Sequence, residues 1–151
     1  MEIALGADHA GVALKREIKQ LVERLGHTCD DFGTDGETSV DYPDIAERVA
    51  RSVANGAFDA GILVCGTGVG MSIAANKVAG IRAAAVSDVE TARLVREHND
   101  ANVLTLGART LPPGRALEIV EVFLATAFSG GRHQRRIDKI AAIESHSTNV
   151  L

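Results

Sequence analysis

The chain predicts an α/β fold: a single-domain, Rossmann-like open sheet of about five parallel strands with helices on both faces, plus a C-terminal docking helix. Three observations predict it. Short apolar runs alternate with amphipathic segments along the chain, the pattern of strands joined by crossover helices. Aromatic residues are only 3% of a composition that is 46% hydrophobic, so the core must be built from Ala, Val, Ile and Leu, which suits helices packed closely on a parallel sheet. One apolar run ends in a glycine cluster that leads straight into a helical segment, a join at which such folds hold ligands. The 151 residues fit one domain, 1–151, with room for a substantial core.

Ile3 to Ala7 reads as the first strand and Thr28 to Phe32 as the second, with Leu14, Ile18, Leu21 and Leu25 marking the apolar face of the helix between them. Ile45, Val49 and Val53 mark the next helix, entered near Tyr42 and Pro43, and Ala60 to Cys65 is the third strand. Met71 to Lys77 is helix-like and Ile81 to Val86 is the fourth strand. Ser87-Asp88-Val89-Glu90 fits the S-x-x-E signature that starts a helix, here Val89 to Glu97, before a fifth strand over Val103 to Leu106. Leu117, Val120, Leu124 and Phe128 form the ladder of a further helix. After Ser129-Gly130-Gly131 a docking helix is expected over His133 to Glu144, with Ile137, Ile140 and Ala141 on one face, and residues 145–151 form a polar tail expected to fray. Parallel strands require right-handed crossovers, and their carboxyl ends gather Asp8-His9, Cys65 to Gly70 and Gly107-Ala108-Arg109 toward one cleft.

Composition removes several function classes. A net charge of -4 without an aromatic-rich basic stripe leaves no footprint for nucleic acid. No apolar run reaches membrane-spanning length, and the start Met1 to Gly6 lacks the features of a signal segment, so a cytoplasmic protein without membrane contact is expected. Cys29 and Cys65 form neither a C-x-x-C pair nor a zinc spacing, and no disulfide is expected. His9, His27, His98, His133 and His146 are scattered without metal-binding spacing, so no metal is expected. Gly66-Thr-Gly68-Val-Gly70 departs from the dinucleotide fingerprint, and no Gly-Lys-Ser/Thr follows, which argues against nucleotide machinery. Asp88 stands where a ribose-binding carboxylate would, but a helix-start role explains it more simply.

The chemistry concentrates at Cys65. A strand that ends in glycines and turns into a helix exposes several amides at the positive end of the helix dipole, where oxyanions bind. The thiolate is the reactive form of cysteine and helix N-termini favour it, so Cys65 can act as a base or a nucleophile toward a bound anion. The competing reading is a small buried hydrophobe that ends a core strand. With an imidazole added, the set can move protons on carbon next to a carbonyl without cofactor or metal, the glycine amides holding the developing enediolate.

Gly6-Ala-Asp8-His9-Ala-Gly11, Asp41-Tyr42-Pro43, Cys65 to Lys77, Gly80-Ile-Arg82-Ala, His98 to Leu104, Gly107-Ala-Arg109 and Gly130-Gly-Arg132-His133-Gln-Arg-Arg136 occur together and in order, from Ile3 to about Glu144. In this set the chain resembles the type B ribose-5-phosphate isomerases, a family that also includes the two-subunit galactose-6-phosphate isomerases. The resemblance implies a cofactor-independent aldose–ketose isomerase of the pentose phosphate pathway interconverting D-ribose 5-phosphate and D-ribulose 5-phosphate. An isomerase of another aldose or aldose 6-phosphate, such as allose or galactose, is the nearest alternative. A nucleotide-binding or regulatory α/β module is the alternative outside enzymes.

Carried over by motif position, the resemblance makes Cys65 the base that takes the C2 proton of the open-chain aldose and returns it at C1. Gly66, Thr67, Gly68, Val69 and Gly70 hold the carbonyl oxygen, Thr67 adding a hydroxyl. His98 resembles the residue that opens the furanose ring, although a cation ending the helix Val89 to Glu97 reads the same. Asp8 and His9 resemble the pair contacting sugar and phosphate, with Asp8 equally suited to cap a helix. Asn99 and Arg109 correspond to further substrate contacts. Arg132 and Arg136 lie four apart, so on a helix they can clamp a phosphate together or form a solvated basic face. Arg135 points elsewhere, and Tyr42 is a substrate contact or a packing residue. The family is at least dimeric with sites between subunits, so a homodimer or higher homo-oligomer with shared active sites is expected.

Overall fold

The computed structural model describes residues 1–148. Its elements follow the predicted alternation: β1 (Glu2–Ala7), α1 (Val12–Arg24), β2 (Thr28–Asp31), α2 (Tyr42–Ala54), β3 (Ala60–Cys65), α3 (Val69–Ala75), β4 (Ala83–Ala85), α4 (Val89–Glu97), β5 (Val103–Gly107), α5 (Pro113–Ala125) and α6 (Arg132–Thr148), with one 3₁₀ turn, His9–Gly11, between β1 and α1. The five strands form one parallel sheet in the order β2-β1-β3-β5-β4. The chain starts beside the middle, builds outward to β2, returns through β3, then reaches the far edge with β4 before inserting β5. Every residue of β3 and β5 is buried, which is why both read as unbroken apolar runs.

The core has two halves, one on each face of the sheet. Ile3, Leu5, Ile62, Val64, Leu104 and Leu106 face α1, α4 and α5. Ala4, Leu63, Cys65 and Val103 face α2 and α3. Alternate side chains of one strand point to opposite faces, so Val64 and Cys65 enter different halves of the core.

Four expectations shift. The fourth strand shortens to Ala83–Ala85 because the backbone before it is held otherwise: the Ile81 amide bonds the Val78 carbonyl, and the Arg82 amide donates to Asn102 Oδ1. The helix ladder that included Phe128 ends at Ala125, where Thr126 is already extended and its hydroxyl donates to the Val122 carbonyl. Phe123 supplies the buried ring instead, 2% exposed. The final helix runs on to Thr148, so the expected frayed tail is helical over 145–148, and residues 149–151 lie outside the described residues. The beginning of α6 is the buried part: His133 and Ile137 are buried, whereas Ile140 and Ile143 are 49% and 68% exposed, although Glu144 still accepts from the Gly80 amide at 3.0 Å.

Asp88 caps α4, its Oδ1 accepting from the Thr91 amide at 2.7 Å and its Oδ2 from the Thr91 hydroxyl at 2.7 Å. Those two donors hold its carboxyl below the usual range. The capping role, not a ribose contact, is what the fold uses.

Lys15 is fully buried on α1 and donates to Asp31 at 2.7 Å, to the Thr34 carbonyl and to Asp35 at 3.1 Å. A charge that deep persists only with such partners, and here they tie the irregular segment after β2 to the helix beneath it.

Candidate active site

The carboxyl end of β3 carries the cysteine and its glycine turn. Cys65 is 5% exposed, and the Gly68 amide donates to its sulfur at 3.1 Å. Gly68 makes that possible by adopting φ +82, and a Cβ there would lie 2.9 Å from the Leu106 carbonyl carbon. The Thr67 Oγ1 accepts from the Val69 amide, the first of α3, at 3.2 Å through a lone pair, a bond that does not use the hydroxyl proton. The loop amides therefore divide their work. One addresses the thiol, one the threonine, and the turn as a whole presents the positive end of α3.

Neighbouring strands bring the next groups. Cys65 pairs with Gly107, and the amides of Ala108 and Arg109 donate to the Cys65 and Gly66 carbonyls at 2.8 and 3.0 Å. The guanidinium of Arg109 then lies over Gly66, where a Cβ would stand 3.4 Å from Nη1. On the other side, the Asp8 amide donates to the Val64 carbonyl at 3.0 Å, and Asp8 Oδ1 accepts from Ala10 at 2.9 Å, capping the 3₁₀ turn. His9 follows, its Nδ1 accepting from the Val40 amide at 3.3 Å. That bond assigns the proton to Nε2, which is left as a donor. Tyr42 packs against Gly70, where a Cβ would fall 2.6 Å from Cζ, and stays 39% exposed. It thus packs on the loop, the second of the roles expected of it, while part of its ring remains exposed.

His98, Asn99, Arg132 and Arg136 do not join this group within one chain. Helix α4 runs back across the sheet and ends at His98, just before β5 begins with Val103, whereas Cys65 is paired with the last residue of β5. Four residue steps of strand, Val103 to Gly107, separate the two ends, roughly 13 Å at about 3.3 Å per step. The amino-end location is held by Arg82, whose Nε donates to the Asn99 carbonyl at 2.9 Å, and by Ser129, whose amide donates to the Glu97 carbonyl at 3.1 Å. Within one chain the structure therefore places Cys65 in one group and His98 with the arginine pair in another.

The second group lines its own cavity of about 270 Å³, formed by His98, Asn99, Arg132, His133, Arg136, Ile137 and Ile140. Arg132 and Arg136 project from the first turns of α6 into it, and Arg135 is not among its walls. One member escaped sequence reading: His133, which is 8% exposed and stacks on His98 with ring centroids 4.3 Å apart and planes 13° apart. Its available signal was a spacing of four to Ile137, which puts both on the buried face of α6. Burial first, and then His98, Arg132 and Arg136, push the His133 imidazole below its usual pKa.

Both cysteines are free, and burial raises the Cys29 thiol to about 11, far from reactive use. Among the described residues no group of three or more His, Cys, Asp or Glu is placed to hold a metal, and no helix is long and apolar enough to cross a membrane.

Residues 3–140 match the model of the ribose/galactose isomerase family. Ribose-5-phosphate isomerase B of Escherichia coli (strain K12) is 51% identical over 144 residues, covering 95% of this chain and 96% of that protein. Among solved structures, ribose-5-phosphate isomerase B of Clostridium thermocellum superposes with a TM-score of 0.96 at 51% identity, covering 97% of this chain and 99% of the other. The Mycoplasma genitalium ribose-5-phosphate isomerase B, solved with bound ribulose 5-phosphate, gives a TM-score of 0.92 at 44% identity over 95% of this chain and 96% of that one.

Proposed function

The chain belongs to the ribose/galactose isomerase family, and we propose that within it the protein is an aldose–ketose isomerase interconverting D-ribose 5-phosphate and D-ribulose 5-phosphate. The observation that carries this reading is the Gly68 amide aimed at the sulfur of Cys65 inside a glycine turn at the start of α3. A buried thiol in that setting is poised as a proton carrier beside an anion cradle.

The reaction needs one proton to leave C2 and one to arrive at C1. Cys65 as thiolate takes the C2 proton of the open-chain aldose. The electron pair of that C–H bond becomes the C1=C2 double bond, and the former carbonyl pair moves onto O1. The loop amides and the Thr67 hydroxyl stabilise the resulting enediolate. A proton passes from O2 to O1, and the Cys65 thiol delivers its proton to C1 as the C2 carbonyl forms. Asp8, His9, Asn99 and Tyr42 orient the sugar, while Arg109, Arg132 and Arg136 supply positive charge for the phosphate.

His98 opens the furanose by exchanging protons between the ring oxygen and the anomeric hydroxyl, which an imidazole does well near neutral pH. We assign it to the site of a neighbouring subunit. The strand length between His98 and Cys65 supports a homodimer in which each active site takes Cys65 from one protomer and His98, Asn99, Arg132 and Arg136 from its partner. Exposed Val69 and Ile73 on α3, at 52% and 59%, and Ile140 and Ile143 on α6 are the apolar surface such an assembly would cover. A metabolic enzyme of the cytoplasm fits this chemistry.

Two measurements test the proposal. A panel of five- and six-carbon aldoses, with and without phosphate, should give the highest kcat/KM for ribose 5-phosphate; a higher value for a six-carbon or unphosphorylated sugar would replace the substrate. Inactive Cys65→Ala and His98→Asn chains, unfolded together and refolded in equal amounts, should recover about a quarter of wild-type activity, because half the dimers are mixed and each mixed dimer holds one intact site. No recovery would rule out sites shared between subunits.

A further inference from the structure

The flat stack of His133 on His98 joins a residue with no assigned part in the reaction to the one proposed to open the ring. Two elements build it. His98 terminates α4, and His133 lies in the first turn of α6, where its amide donates to the Gly130 carbonyl at 3.1 Å. The lead-in to α6 is tied to the end of α4 by the Ser129 to Glu97 bond, so the two rings are held in register by backbone as well as by their faces.

We propose that His133 is a positioning residue for ring opening, a flat platform that fixes the ring plane of His98. The ring nitrogens of an imidazole lie in its plane, so whatever fixes the plane fixes the directions along which protons are exchanged. His98 itself is only half-buried at a helix end, and without a partner on its face it could turn about its side-chain bonds. His133 is the fixed member of the pair because it is buried beside Ile137.

The charges around the pair agree with the geometry. Burial first, then His98 of α4 and Arg132 and Arg136 of α6, disfavour a proton on His133, while Glu97 of α4 favours one. A proton on the platform is thus disfavoured, and we assign the charge that appears during ring opening to His98. A neutral face can lie against an imidazolium, whereas a second cation stacked at 4.3 Å would repel it.

The inference rests on the reading that His98 opens the furanose, and deuterium at C2 separates the two. With [2-²H]ribose 5-phosphate, a variant impaired in ring opening becomes limited before the C–H bond breaks, so its isotope effect on kcat/KM lies close to unity. A variant impaired in proton abstraction shows a large one. His133→Ala should lose about tenfold in kcat/KM with an isotope effect near unity, and His133→Phe, which keeps a flat ring, should recover to within about threefold of wild type. Should the alanine variant fail to fold by circular dichroism, His133→Leu fills the space without a planar face and carries the same expectation. Unchanged activity, a large isotope effect in the Ala or Leu variant, or a Phe variant as impaired as these would overturn the platform. A large isotope effect in His98→Asn would instead overturn the ring-opening role of His98 itself, and the platform with it.

Discussion

The two ends of the sheet carry chemistry of different construction. At the carboxyl end, around Cys65, the working groups are mostly backbone: the amides of a glycine turn, placed by strand pairing and helix α3, with a thiol that is 5% exposed. At the amino end, around His98, they are long or rotatable side chains on the ends of α4 and α6, and Asn99, Arg132 and Arg136 are exposed. A backbone site is preorganised by the fold and needs no partner to hold its shape. A side-chain site of exposed cations is open on one side. The contrast teaches that this fold builds the first kind of site mostly from backbone, while the second stays open to solvent within one chain, which is why we assign it to a neighbouring subunit.

The comparison can be broken most severely at the carboxyl end. Cys65→Ala should lower kcat by about 10³-fold, the scale of a lost general base, with circular dichroism unchanged. Substantial residual turnover would move the base elsewhere. Gly68→Ala should lower kcat by about 10²-fold and destabilise the protein by about 1–2 kcal/mol, since it forces a side chain into a left-handed position and displaces an amide donor. Denaturant unfolding and steady-state rates read both effects together, and a neutral outcome would show that the turn is not rigid.

Substitutions of the two arginines at the amino end should act on binding more than on chemistry. Arg132→Ala and Arg136→Ala should each raise KM for the phosphorylated sugar about tenfold with kcat nearly kept, as expected when a charge-assisted bond is lost equally from ground and transition states. An equal rise with an unphosphorylated sugar would dismiss the phosphate clamp.

A smaller signature comes from His133. Its folded pKa is depressed below 6.5, so between the two values the unfolded chain binds more protons than the folded one. The stabilisation is complete above about pH 6.5 and is lost as pH falls through that window. Wild type should therefore lose Tm on acidification more steeply than His133→Phe, and parallel curves would contradict the shift. Smallest of all, Cys29→Ser should change kcat by less than about twofold, because burial keeps that thiol protonated and it lies on β2 away from both ends' chemistry. Loss of activity there would extend the reactive thiol beyond Cys65.

Much of the carboxyl-end site was legible because it is local. Gly66 to Gly70 follow Cys65 directly, and a strand, a turn and a helix in succession determine where an amide points without reference to the rest of the chain. Asp8 and Arg109 were also legible, since parallel strands align their carboxyl ends whatever their order in the sheet. The amino-end group was legible only as residue types. Nothing local in His98 or Arg136 states that α4 returns across the sheet before the chain reaches β5, and His133 was hidden because its ring contact is made with a residue 35 positions away.

Sequence by itself therefore determined the alternation of strands and helices, the single glycine turn beside Cys65 and the family. These rest on short-range periodicity and on steric rules that act within a few residues. Tertiary structure alone decided the strand order β2-β1-β3-β5-β4, the separation of Cys65 from His98 by the length of β5, and the stack of His133 on His98. Those depend on which buried faces pack together, a choice made by the whole core at once, since each helix covers apolar surface contributed by several strands.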